Sequence, residues 1–196
     1  MVIKSAKFVT SAATEAQFIR PDKPMIVVSG KSNSGKSTLI NLLANQKRLA
    51  KTSAAPGRTR LVNYFDFGEF LLADLPGYGY AAVSKEEQAK WGKTLEKFFE
   101  RREEITHVFL LSDIRRDPSA DDMQMVSFLA YHLIPFTVLA TKADKLSRMK
   151  QKERARAIAN AFGLGADNVV AVSSLTGEGK DGLLKKIGEI IKGGEL

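Results

Sequence analysis

Residues Gly30 to Ser37 read GKSNSGKS, and no other stretch limits the possible folds of this chain so much. The octapeptide fits the spacing G-x-x-x-x-G-K-[ST]. The apolar run Met25, Ile26, Val27, Val28 precedes it, and Thr38, Leu39, Ile40, Asn41, Leu42, Leu43 follow. This is a strand, a tight loop and a helix, the context in which such a loop cradles phosphate. Gly30 and Gly35 let the backbone curl until its N–H groups face phosphate oxygens. Lys36 can reach β- and γ-phosphates, the Ser37 hydroxyl can ligate Mg²⁺, and the helix adds its positive N-terminal end. Phosphate contacts are therefore expected from Gly30, Lys31, Ser32, Asn33, Ser34, Gly35, Lys36, Ser37 and Thr38. A Gly/Ser-rich turn is the plainer alternative, and both flanks count against it.

The rest of the chain alternates strand and helix patterns. Val2 to Phe8 reads as an edge strand, and Pro21 and Pro24 break the chain before Met25. Lys51 to Thr59 reads as a loop. Leu61–Phe67 and Phe70–Ala73 read as a hairpin turning at Gly68. Ser84 with Glu87 resembles a capping box, ahead of Trp91, Leu95, Phe98 and Phe99 at core-facing helical spacing. Strands follow at His107–Ser112, Phe136–Ala140 and Asn168–Val172. Ser119 caps a helix whose inner face is Met123, Val126, Leu129, Ala130 and Leu133. Another runs from about Ser147 to Phe162 and stops at Gly163, and the last buries Leu183, Leu184, Ile187, Ile190 and Ile191. His107 is expected to be a satisfied strand-end histidine. The pattern predicts an α/β three-layer fold: a mostly parallel sheet, one antiparallel strand, helices on both faces. Residues 1–24 are an N-terminal extension, and 25–196 form one domain.

In such folds ligands lie at the carboxyl ends of strands. DLPG, TKAD and SSL stand there in that order, and their succession is more specific than any one of them. Asp74 has the place of the acidic residue that holds Mg²⁺, often through water. Leu75 and Pro76 lead to Gly77, whose N–H can turn toward a γ-phosphate. Thr141, Lys142, Ala143 and Asp144 follow the next strand but one. The Asp144 carboxylate can accept from guanine N1–H and the exocyclic amine, a donor pair that adenine lacks, so GTP is preferred over ATP. The stem of Lys142 can lie along the base, and backbone N–H groups near Ser173, Ser174 and Leu175 can reach guanine O6. The loop before the hairpin offers Thr52 and Thr59 as further Mg²⁺ ligands. Thr59 is the better placed, and residue chemistry alone does not choose firmly between them.

Thirty basic residues stand against 22 acidic ones, a formal charge of +8. That surplus suits a polyanionic partner without identifying one. Lys142 to Arg156 carries seven basic residues and two acidic, and a solvated helix face is the bland reading of any one cluster. Cysteine is absent, which excludes disulfides and thiolate metal sites. No apolar run reaches bilayer length and no signal-peptide core is evident, so a cytoplasmic protein is expected.

From about residue 25 onward the chain resembles the translation-factor-related GTPases, and within them the EngB (YihA/YsxC) family of ribosome-assembly GTPases. The resemblance rests on GKSNSGKSTLIN, PGRT with Asn63 and Phe65, DLPGYGYA, Trp91, the pattern Asp113, Arg115, Pro118, then TKADKL and SSLTGEG. It implies a Ras-like G domain with GTP and GDP as substrate and product. It implies nucleotide contacts from Gly57, Arg58, Thr59, Arg60 and Leu61, Mg²⁺ held by Ser37 and Thr59 with Asp74, and Lys36, Thr59 and Gly77 as the catalytic set. It further implies slow hydrolysis, a role in large-subunit assembly with ribosomal RNA and proteins as partners, and a need in growth and septation. Neither DNA nor a membrane span is expected, and a monomer is. Lys31 stands where that family usually has arginine, a variable position.

Tyr78 follows DLPG where Ras-type enzymes carry the water-orienting glutamine, and a phenol cannot serve in that way. Slow turnover is expected, with YGY in a mobile loop as a partner contact. Asn33 resembles the asparagine of potassium-activated GTPases, so K⁺ is a candidate cofactor beside the β- and γ-phosphates. The alternatives to a ribosomal switch are a related GTPase serving RNA modification or a membrane partner, and a nucleotide-binding scaffold.

Overall fold

The computed structural model describes residues 1–51, 61–79 and 85–193, with side chains at 85–91 excepted. The loop holding Thr52, Gly57, Arg58, Thr59 and Arg60, the capping box at Ser84 and the ring of Trp91 lie outside the described residues.

Among the described residues, seven strands form one sheet in the order β1-β3-β4-β2-β5-β6-β7. They are β1 (Lys7–Ala12), β2 (Met25–Gly30), β3 (Val62–Asp66), β4 (Leu71–Asp74), β5 (Ile105–Asp113), β6 (Phe136–Thr141) and β7 (Val169–Ala171). β3 pairs antiparallel with both β1 and β4, and every other pairing is parallel. One strand therefore runs against the other six, as expected from the hairpin. The helices are α1 (Lys36–Leu43), α2 (Lys85–Glu100), α3 (Ala120–Tyr131), α4 (Arg148–Phe162) and α5 (Lys180–Ile191).

The central strands are near-continuous apolar runs because helices cover both sides of the sheet. Phe109 and Leu111 of β5 join Leu39, Ile40 and Leu43 of α1 and Leu183 and Ile187 of α5. On the opposite face, Val108 packs with Leu95, Phe98 and Phe99 of α2, and Leu110 with Val126 of α3 and Ile158 of α4. His107 is buried, and its Nε2 lies 3.0 Å from Thr137 Oγ1.

Two expectations are corrected. The edge strand is Lys7–Ala12, not Val2–Phe8. Ile3 and Ala6 instead enter the α1/α5 core, and pairing with β3 begins only where Lys7 meets Asp66. In α3 the inner face is Asp122, Val126 and Leu129, with Met125 and Phe128 packed beside them, while Met123 and Ala130 point out. Asp122 sets this phase, because its carboxylate accepts from Ser119 N (2.9 Å) and Ser119 Oγ (2.7 Å) at the helix entry. A carboxylate so bonded turns inward, and the apolar periodicity follows it. Leu133, past the helix end at φ 54°, is 89% exposed, and Ile134 is buried in its place.

Candidate nucleotide site

The GKSNSGKS loop leaves the end of β2 and enters α1 at Lys36. Gly30 tolerates no side chain: a Cβ there would lie 2.7 Å from Leu111 O and 2.8 Å from Ser34 Oγ. The Lys36 ammonium folds onto the loop and donates to Gly30 O at 3.1 Å. Burial lowers its pKa from the ordinary lysine value, against the opposing pull of Asp74. A desolvated ammonium at the mouth of a helix N-terminus is the arrangement that attracts phosphate oxygens most strongly.

Asp74 ends β4, opposite Asn63 of β3. It is buried, and among the described residues Oδ1 has no hydrogen-bond partner. Burial pushes its pKa up to about 6, although Lys36 and Asn63 pull the other way. An orphaned buried carboxylate oxygen beside the hydroxyl-bearing start of α1 fits a hard, oxygen-seeking cation.

The next residues close onto the phosphate loop. Ser32 N donates to Tyr78 O at 2.9 Å, and Lys31 and Tyr78 form an isolated parallel bridge. Gly77 comes so near that a Cβ would lie 2.8 Å from Ser32 Oγ and 2.9 Å from Lys36 Nζ. DLPG therefore lies over the place where a terminal phosphate would meet Lys36, and only glycine fits. The exposed YGY is corrected at Tyr78, which is 4% exposed and donates from its hydroxyl to Asp122 Oδ1 at 2.7 Å. Burial first, and then the Asp122 charge, hold the phenol well above its usual pKa.

The segments expected to meet the base follow β6 and β7. Thr141 Oγ1 donates to Ser34 O (2.7 Å), and Lys142 Nζ donates to Asn33 O (2.8 Å) and Asp113 Oδ2 (3.0 Å). Both residues pin the phosphate loop from outside. Burial alone would raise the Asp113 carboxyl, but hydrogen bonds from Arg115 and Lys142 hold it well below the usual carboxylate range. Asp144 Oδ1 accepts from Ser173 Oγ at 2.7 Å, and Oδ2 lies 3.2 Å from Lys145 Nζ. The Ser173 bond, with help from Lys145, keeps Asp144 below its ordinary pKa and so ionised, as an acceptor for two N–H donors must be. Leu175 N is directed at Ser173 Oγ (3.3 Å), and the Leu175 side chain is exposed.

The carboxyl ends of the strands thus carry the GKSNSGKS loop, the buried Asp74 carboxylate and the ionised Asp144 carboxylate expected to meet a base. The family described as 50S ribosome-binding GTPase matches residues 25–142, the first two of these elements and the start of the third. A probable GTP-binding protein EngB from Desulfosudis oleivorans is 44% identical over 188 residues, covering 95% of each chain.

The chain belongs to the EngB family of P-loop GTPases.

A second EngB relative, from Caldanaerobacter subterraneus, is 40% identical over 98% of this chain and 100% of its own. The crystal structure of a probable GTP-binding protein engB superposes with a TM-score of 0.72 at 25% identity, covering 86% of this chain and 98% of that one. Membership makes the chain a GTP hydrolase, and the sheet order and site elements above are the Ras-like framework of that EngB fold. Several residues that shape this EngB site escaped the sequence reading. Asp122 and Gln151 sit on helices far along the chain, and Asp113 entered only as part of a resemblance. Asp122 shows in the sequence only as the third residue after the Ser119 cap, and Gln151 carries no motif signal.

Proposed function

We propose that this protein is a magnesium-dependent GTPase of low intrinsic turnover that acts as a switch on the large ribosomal subunit or its precursor. The observation carrying the ribosomal part is α4. Arg148, Lys152 and Arg156 recur at intervals of four along its exposed side, and Lys150 is exposed elsewhere on the same helix. Arg154 of α4 pairs with Asp117 at 2.9 Å, but no carboxylate lies at ion-pair distance from those four among the described residues. A row of unpaired cations directly after the base-reading loop suits RNA phosphates. The description of the matching family, a 50S ribosome-binding GTPase, points the same way.

Magnesium would be held by Ser37 and, with GTP bound, by Thr59, with Asp74 reaching it through water. The ion would neutralise charge on the β- and γ-phosphates. Among the described residues no group of three or more acidic, His or Cys side chains forms a metal cage, which suits an ion ligated mostly by phosphate and water. Slow turnover follows from Tyr78, whose hydroxyl is committed to Asp122 and orients no attacking water. Asn33, exposed with a left-handed backbone at φ 65°, is the residue through which K⁺ would assist. Turnover in KCl and NaCl at matched ionic strength tests that, and equal rates reject it.

The unit from 25 to 196, flanked by β1, would act in the cytoplasm as a monomer and be required for growth and septation. Among the described residues no helix is long and apolar enough to cross a membrane. Sedimentation of tagged protein with ribosomal subunits, in a GTP analogue and in GDP, is the deciding experiment. Nucleotide-dependent cosedimentation with the large subunit supports the switch. Cosedimentation with neither subunit favours an RNA-modification or membrane partner, and binding indifferent to nucleotide favours a scaffold.

A further inference from the structure

We propose that Gln151 sets the guanine selectivity of this site without touching the nucleotide. Gln151 lies one turn into α4 and is 8% exposed. Its Nε2 donates to Ala143 O at 3.0 Å, Leu146 O at 3.2 Å and Glu178 Oε2 at 3.3 Å. All three partners are pure acceptors, which assigns the amide nitrogen rather than its oxygen to this side.

These partners bracket the base-reading carboxylate. Ala143 and Leu146 stand on either side of Asp144 in the short 3-10 turn at Ala143–Lys145. Glu178 closes the second loop, because its backbone carbonyl accepts from Ser173 N at 2.9 Å. Ser173 Oγ then donates to Asp144 Oδ1 at 2.7 Å. Gln151, Ala143, Asp144, Ser173 and Glu178 thus form a closed ring, and Gln151 is the member that ties both loops to a helix. Ser147, at the N-cap of α4, makes no side-chain cap bond, so the entry of this helix is held by Gln151. An amide suits the place. A leucine would take from Leu146 O and Ala143 O the donor that ties them to the helix, leaving Ala143 O only Leu146 N, and a glutamate would set a second negative charge against Glu178.

Asp144 discriminates only if both its oxygens face the two guanine donors. A carboxylate free to rotate or shift by a fraction of an ångström keeps its charge but loses the fit to the exocyclic amine. The inference rests on the reading of Asp144 as the guanine acceptor, and the test separates the two. Affinities for GDP and for IDP, which lacks the exocyclic amine, are measured by calorimetry for the parent protein, Gln151→Leu, Glu178→Ala and Asp144→Ala. In Gln151→Leu the GDP-to-IDP affinity ratio should fall about tenfold, the worth of one well-made hydrogen bond. Glu178→Ala, at an exposed side chain, should lower it by less and covers the case in which Gln151→Leu does not fold. Combined with Asp144→Ala, Gln151→Leu should lower the ratio no further, since the two act through one contact. General destabilisation removes active protein but leaves the ratio alone. A parent-like ratio in folded Gln151→Leu, or in Glu178→Ala if that fold is lost, overturns the proposal. A parent-like ratio in Asp144→Ala overturns the guanine reading and the proposal together.

Discussion

The Tyr78 hydroxyl and the Asp122 carboxylate meet at 2.7 Å in the interior, joining the turn after DLPG to the first turn of α3. Asp122 is fully engaged, with Ser119 donating from its backbone and its hydroxyl to the other oxygen. The Tyr78 carbonyl accepts from Ser32 N, so one residue ties the phosphate loop to α3 across the DLPG turn. Motion of that turn on meeting a terminal phosphate would be felt at α3.

Tyr78→Phe leaves a buried carboxylate oxygen short of its donor, at a cost of about 1–3 kcal/mol. Thermal unfolding should occur about 2–12 °C lower, given the usual slope for a chain of this size. Turnover should change much less, because the hydroxyl points into α3 and away from the nucleotide. A turnover loss beyond a hundredfold with an unchanged melting point would mean that the phenol works at the phosphate.

Asp74 gives a pH signature with a definite sign. Its folded pKa is raised from 3.8 to about 6, so the nucleotide-free fold binds this proton more tightly than the unfolded chain does. Its contribution is best below the unfolded value and is lost as pH rises toward 6. Asp74→Asn should thus be more stable than the parent protein at pH 7.5 by about 1–3 kcal/mol, with the gap closing toward pH 4. His107, lowered to about 4 by burial and then by Lys186, runs the opposite way, but it is common to both proteins and cancels in the difference. Urea unfolding at the two pH values measures it. A gap that does not close as pH falls removes the assignment. The same substitution should abolish magnesium-dependent tightening of GTP binding.

Asp144→Asn should turn base preference from guanine toward xanthine, because the amide supplies a donor for the xanthine carbonyl. Losing charge-assisted bonds should cost GTP about 1.5–3 kcal/mol. Calorimetry with GTP and XTP reads both changes, and an unaltered GTP affinity contradicts the role given to Asp144.

Replacing Arg148, Lys150 and Lys152 together by alanine should weaken binding to ribosomal RNA. The slope of log affinity against log salt should drop by about two to three, close to one per lost phosphate contact. Nucleotide affinity should hold, since these side chains are exposed while Gln151 is buried. A salt slope equal to that of the parent protein would place the RNA contact elsewhere.

How much of this was legible in the sequence depends on the range of each interaction. The GKSNSGKS loop, the hairpin turning at Gly68, the stop of α4 at Gly163 and the strand-end positions of DLPG, TKAD and SSL are set by neighbours in the chain. Glycine conformation, proline breaks and apolar period act within a few residues, so sequence alone determined a three-layer α/β fold with a phosphate loop, and placed Asp144 at a strand end. The burial of Tyr78 and the ring around Gln151 were decided only by tertiary structure. Each rests on a polar side chain partnered from 27 to 44 positions away, by Glu178 with Gln151 and by Asp122 with Tyr78. A buried carboxylate or amide turns toward its donor or acceptor because leaving it unpaired costs more than a shift in apolar packing. In α3 the Ser119–Asp122 capping box records the inward turn locally, and only the meeting of that carboxylate with the Tyr78 hydroxyl is remote.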